Sequence, residues 1–224
     1  MNFVPVALWG GVVGLDAASF PQIMVSRPLV AATVTGLLAG RPVDGFILGV
    51  ILEAFALLVL PVGAARYPEA GTGAVAATGA YLFAAPPEPD AALLLGAVAF
   101  ALAWERVGGL SVHAQRRLNE RLVAGWNGSR RRADLELERR HLSAMALDYL
   151  RGAAVSASGA WLGAGALRWL APRWDLDAVA PIGVLVIATA AVIGAVLQLF
   201  GGWAERRLAF LLGLLCGLTL LLFR

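Results

Sequence analysis

The sequence predicts an all-α, polytopic integral membrane protein with discontinuous or re-entrant helices in its N-terminal half. Three observations carry this. The chain is 59% hydrophobic with a mean hydropathy of +0.76 and only 15% charged residues, where a soluble domain carries about 25% charged. Its apolar residues come in long charge-free blocks. Its first third is broken repeatedly by Pro and Gly inside otherwise apolar sequence.

The elements follow in chain order. Met1–Leu15 is charge-free. Nothing basic precedes it and no clean small-residue cleavage site follows, so it reads as a membrane segment and not a signal peptide. Phe20-Pro21 and Arg27-Pro28 then break the helix twice within a few residues. Pro28–Gly40 is only 13 residues long, about 20 Å as helix. Gly40 suits a left-handed helix end and Asp44 an N-cap for the next helix. Gly45–Ala65 is apolar except for Glu53 in its middle. Between Val62 and Gly73, Pro68, Arg66, Glu69 and small residues interrupt what would be a span. Backbone of this kind persists at membrane depth only where protein or a water-filled cavity covers it, and short interrupted segments point to a transporter's binding site.

After a Pro-rich acidic turn at Pro86–Asp90, Ala91–Trp104 is apolar. Residues 105–140 hold nine Arg and five acids, net +4; the remainder holds nine Arg and ten acids, net −1. The positive-inside rule places this segment in the cytoplasm, as an exposed amphipathic hairpin around a turn at Gly125–Gly128 that also touches anionic lipid or serves as a docking platform for a soluble partner. Helix 152–170 then runs outward to a turn at Pro172–Asp177, Ala178–Phe200 returns as a 23-residue span, and Leu208–Phe223 exits. Trp104, Trp161, Trp169, Trp174 and Trp203 fall near run ends, where the headgroup region favours indole. The expected organisation is one membrane domain, 1–224, divided into 1–104 with the broken helices, 105–150 as the basic cytoplasmic segment, and 151–224 with three C-terminal helices.

Five glycine pairs have the GxxxG spacing that lets helix backbones approach closely: Gly10/Gly14, Gly36/Gly40, Gly45/Gly49, Gly159/Gly163 and Gly213/Gly217. With 26 glycines in the chain, chance supplies some of them.

Glu53 is the most informative residue. A carboxylate at the bilayer centre costs roughly 2.5–3.5 kcal/mol, so it is expected to face a cavity, a partner or a substrate. Gly45, Gly49 and Glu53 form one stripe on one helix, with the glycines leaving a groove beside the carboxylate. Asp16, Gln22, Ser26 and Arg27 near the first break, and Arg66 and Glu69 near the second, are the polar groups able to converge on it. Such a set suits an uncharged polyol, whose hydroxyls need donors and acceptors in fixed array. The alternatives are a structural Glu53–Arg27 or Glu53–Arg66 ion pair and a proton relay. No catalytic motif is present. All 18 basic residues are Arg, so there is no phosphate loop with a Lys. There is no Cys/His cluster with metal-ligand spacing, and neither His113 nor His141 sits in a pocket suited to carry a phosphoryl group. Cys216 is alone, so no intramolecular disulfide forms.

Four segments carry a family likeness: Gly14–Ala31, containing Asp16, Pro21, Gln22, Ser26, Arg27 and Pro28; Gly36–Gly45; Gly49–Glu53; and Leu60–Glu69. In order and spacing these resemble the IIC membrane subunit of mannose/fructose/sorbose-type sugar phosphotransferase systems. The resemblance implies a sugar-translocating subunit, without a phosphorylated residue of its own, cofactor or metal. Its implied partners are a IID membrane subunit and soluble IIB and IIA phosphocarriers, in a homo-oligomer of IIC–IID pairs in the bacterial inner membrane, with no nucleic acid. Glu53, Arg27, Gln22 and Asp16 are then expected at the sugar, with Ser26, Arg66 and Glu69 behind them. Two other readings are a membrane scaffold that kept the fold without transport, and an unrelated small secondary transporter.

Overall fold

The computed structural model describes residues 3–57, 67–86, 90–124, 133–173, 180–199, 201, 207–208, 211–213 and 215. Among them every regular element is helical: α1 (Val4–Ala18), α2 (Pro28–Leu38), α3 (Pro42–Ala56), α4 (Ala70–Ala84), α5 (Ala91–Val123), α6 (Ala133–Leu170), a 3-10 turn at Ala171–Arg173, and α7 (Ala180–Leu199). Among the described residues, α5 and α7 are long and apolar enough to cross a membrane, and α1 and α2 are shorter apolar helices.

Pro21 and Pro28 act as the sequence predicts. Pro28 opens α2, where its missing N–H would have no intrahelical partner anyway, and the chain between Ser19 and Arg27 is non-helical. Gly40 has φ +74° with open space around it, the left-handed turn expected there. Asp44 is not an N-cap. Pro42 takes the first helical turn, Arg41 the cap position, and Asp44 lies inside the turn with its Oδ2 accepting from Arg41 Nε at 2.5 Å.

α4 is the centre of the molecule. Every residue from Gly71 to Phe83 is buried, with α1, α2, α5 and α6 packed around it. Its Gly, Ala and Thr content explains how so many neighbours fit, since without a hydrophobic driving force between helices in lipid, close backbone approach supplies the packing. Three of the five glycine pairs serve this purpose. A Cβ on Gly14 would lie 2.6 Å from Gly152 Cα and one on Gly10 2.2 Å from Ser156 Cβ, so α1 lies directly on α6. Gly159 and Gly163 admit Trp104, Phe100 and the alanines of α4.

The Gly45/Gly49 stripe does the same for α2. A Cβ at Gly45 would meet Ala32 O at 2.5 Å and Gly36 Cα at 2.8 Å, and one at Gly49 would meet Leu29 O at 2.9 Å. The expected groove beside Glu53 is therefore filled by α2, making an antiparallel α2–α3 hairpin. Gly40 and Gly213 have nothing within 4 Å and make no such contact.

The basic segment is not a separate element. Its described residues form the far ends of α5 and α6, so positions 104/105 and 150/151 both fall within helix. At 33 and 38 residues, α5 and α6 are about 50 and 57 Å long, well beyond a hydrocarbon core of about 30 Å. A change from apolar to charged sequence marks where such a helix leaves the membrane and requires no break. The turn at Gly125–Gly128 and most of the last apolar run lie outside the described residues, as do Arg66, Trp174 and Trp203. Trp161 and Trp169 are exposed. Trp104 is half-buried: its Nε1 donates to Val155 O at 3.1 Å and its ring stacks on Phe100.

Candidate functional site

Three polar clusters are built on the breaks of the N-terminal half. The first is a clasp. Asp16, in the last turn of α1, is 2% exposed. Its Oδ1 accepts from Ile23 N at 2.7 Å and its Oδ2 from Ser26 N at 2.9 Å. These bonds fold the 19–27 segment back over the end of α1. They also hold Gln22 and Met24 at φ +58° and +68°, a left-handed conformation that non-glycine residues adopt at a cost. Asp16 is thus occupied by backbone amides. Gln22 is exposed, and neither residue lines the cleft described below.

The clasp delivers Arg27 to the second cluster. Arg27 Nε donates to Glu53 Oε1 at 2.7 Å, Arg27 Nη2 donates to the same oxygen, and Leu29 N donates to Glu53 Oε2 at 3.2 Å. Glu53 therefore neutralises Arg27 and also sits on the N-terminus of α2, where the helix dipole favours an anion. Its position near the end of α3 and opposite the start of α2 follows from the glycine-packed antiparallel hairpin. Of the two ion pairs the sequence allowed, this one forms.

A half-open cleft of about 140 Å³ lies beside this pair, bordered by Ser26, Arg27, Phe55, Tyr67, Glu69 and Glu105 among others. Glu53 stands behind Arg27 and does not line it. The cleft presents a guanidinium, carboxylates, a hydroxyl, a phenol and an aromatic ring, a donor and acceptor set suited to a polyol.

The third cluster closes the cleft on its far side. Glu69 N donates to Glu105 O at 2.9 Å, and Gly109 permits this, since a Cβ there would lie 2.3 Å from Tyr67 O. Arg151 of α6 grips Glu69 in a bidentate pair, Nη1 to Oε2 at 2.7 Å and Nη2 to Oε1 at 2.9 Å. The same guanidinium donates to Ser111 Oγ at 3.0 Å and Gly14 O at 3.2 Å. Its Nε faces Asp148 Oδ1 at 3.7 Å, while Ser19 Oγ donates to Asp148 Oδ2. Side-chain exposures of 7% for Arg151, 2% for Glu69 and 4% for Asp148 make this a fully buried ionic network. Glu69 borders the cleft and Arg151 borders a groove between α5 and α6, so the pair forms a wall between the two openings.

The structure thus brings Arg27, Ser26 and Glu69 to one cleft, with Glu53 supporting it and Asp16 shaping its loop. It adds Tyr67, Glu105, Arg151 and Asp148, which the sequence reading missed. The available signal was a pair of charges, Asp148 and Arg151, one helical turn apart at the very start of an apolar run. Among the described residues no group of three or more His, Cys, Asp or Glu could hold a metal ion.

Comparison with known proteins fixes the family. The chain is 32% identical, over 78 residues, to a "PTS system sorbose-specific EIIC component" of Lacticaseibacillus casei; the aligned stretch is 35% of this chain and 28% of that protein, under a third of its length. A solved structure titled "Structure of membrane protein" superposes with a TM-score of 0.69 at 17% identity, covering 99% of this chain and 94% of that one; at that identity the likeness speaks for the fold, which is that of a helical membrane protein. The family model of the PTS system sorbose-specific IIC component matches residues 1–114, half of the chain and all of the Asp16, Arg27, Glu53 and Glu69 constellation, and the chain belongs to that family.

Proposed function

We propose that this chain is the sugar-translocating subunit of a phosphoenolpyruvate-dependent phosphotransferase complex, binding a hexose-type sugar and moving it to a separate IIB protein for phosphorylation. It crosses the inner membrane several times as a single IIC-type domain, with the charged ends of α5 and α6 in the cytoplasm, paired with a IID subunit and served by IIB and IIA. The sugar contacts Arg27, with Ser26, Tyr67 and Glu105 around it. Glu53 orients the guanidinium, and Asp16 and Gln22 belong to the loop that carries it. Glu69 acts from behind, through its pair with Arg151. Arg66 remains a candidate beside Tyr67 in the chain.

The observation that supports this most is Arg27, held by a dedicated carboxylate, at a helix break and on the border of a cleft. Arg27 stays 35% exposed while paired with Glu53, which leaves its guanidinium reachable from the cleft. The test is uptake and phosphorylation of a panel of hexoses and amino sugars in vesicles containing the partner subunits. Glu53→Gln and Arg27→Gln are expected to abolish uptake while the protein remains in the membrane. Normal uptake by both variants in the complete complex would remove this reading.

A further inference from the structure

Beyond the wall formed by Glu69 and Arg151, α5 and α6 leave a groove of about 460 Å³ whose polar lining is Ser111, Gln115, Arg117, Arg121 and Arg151. Among the described residues no carboxylate lines it. Arg117 and Arg121 are four residues apart on α5, so their side chains share one face. Both are exposed, and neither has a hydrogen-bond or ion-pair partner among the described residues. Arg151 lies at the floor with its Nε lacking a hydrogen bond, although Glu69 and Asp148 beneath it already balance its charge.

The surrounding acids do not answer the two outer arginines. Glu120 is three residues from Arg117, a neighbouring position on α5, yet no ion pair joins them among the described residues, and Glu136 of α6 is paired with Arg140 at 2.5 Å. Position along the helix matters as well. Ser111 lies about 30 Å and Arg121 about 45 Å from the start of α5 at Ala91, so the groove begins where a hydrocarbon core of about 30 Å ends. It sits at the level of headgroups and water.

We propose that this groove binds a phosphate group. Two guanidiniums on one face, unpaired among the described residues and in a recess that no described carboxylate lines, present the planar donor forks that match phosphate oxygens. The phosphate belongs either to a phosphorylated small molecule or to a lipid headgroup, and the chemistry is common to both. The inference stands on the groove alone and does not depend on the transport reading.

The test uses the full chain in phosphatidylcholine nanodiscs, with glycerol 3-phosphate as the soluble probe, followed by 31P NMR, and phosphatidylglycerol as the lipid probe, followed by native mass spectrometry. At least one probe is expected to bind saturably. The Arg117→Gln/Arg121→Gln double variant should lose about tenfold or more in affinity. Arg173→Gln, remote from the groove and bonded to Trp169 O, should change nothing. Saturable binding of glycerol 3-phosphate assigns the soluble source, and retention of phosphatidylglycerol alone assigns the headgroup. Failure of both probes to saturate, or equal binding by the double variant, overturns the proposal. Each single variant should show an intermediate loss, which keeps the test available if the double variant does not fold.

Discussion

Arg151→Gln is expected to destabilise this protein more than Glu69→Gln, although both break the same ion pair. The buried network holds one cation and two carboxylates, Glu69 and Asp148. Removing the cation leaves two carboxylates, 2% and 4% exposed, facing each other's field with nothing to balance them. Breaking a buried pair in this way costs about 3–5 kcal/mol, which is roughly two to four orders of magnitude in the folding equilibrium. Glu69→Gln leaves Arg151 opposite Asp148, a neutral pair at 3.7 Å; the amide oxygen still accepts one guanidinium bond, while the amide nitrogen is a donor and cannot accept the other, a loss of about 1.5–3 kcal/mol. The assay is reversible unfolding in mixed micelles with increasing denaturing detergent, both variants measured beside the parent. Glu69→Gln as costly as Arg151→Gln, or Arg151→Gln within about 0.5 kcal/mol of the parent, would refute the assignment of Arg151 as the shared counter-ion of two buried acids.

Two further predictions probe the frame around the cleft. Gly45→Ala should cost about 1–3 kcal/mol through overpacking, because its Cβ would meet the backbone of α2 at 2.5–2.8 Å; Gly165→Ala, with nothing within 4 Å in α6, should be neutral or stabilise by up to about 1 kcal/mol, and equal effects in an unfolding titration would contradict the packing account. Asp16→Ala removes the acceptor of the Ile23 and Ser26 amides and should speed hydrogen exchange across residues 19–27 by about tenfold or more; unchanged exchange there would mean that Asp16 does not hold the loop.

Much of the architecture was legible from residue order. Pro21, Pro28 and Gly40 mark backbone events that local chemistry dictates, and α7 follows from apolar length alone. Glu53 stood out because a lone carboxylate in an apolar run needs a partner, and Arg27 was among the few residues able to supply one. What stayed hidden had physical reasons. α4 is buried on every side, so it carries no polar stripe to give away its period. α5 and α6 pass from apolar to basic without a breaker, and the boundary looked like an element end. Arg151 meets Glu69 across 82 residues and Gly14 across 137, a convergence that no local spacing encodes. The glycine stripe on α3 suggests free space beside Glu53, whereas the missing side chains admit the backbone of α2.

The most direct test of the central claim, that the cleft bordered by Ser26, Arg27 and Glu105 receives the transported sugar, is chemical protection at its rim. With Ser26→Cys in a Cys216→Ser background, in membranes holding the complete complex, the rate of alkylation is measured against increasing concentrations of each sugar. The account predicts that the transported sugar slows alkylation saturably while sugars that are not carried have no effect. Alkylation that proceeds at the same rate under saturating transported sugar would contradict it.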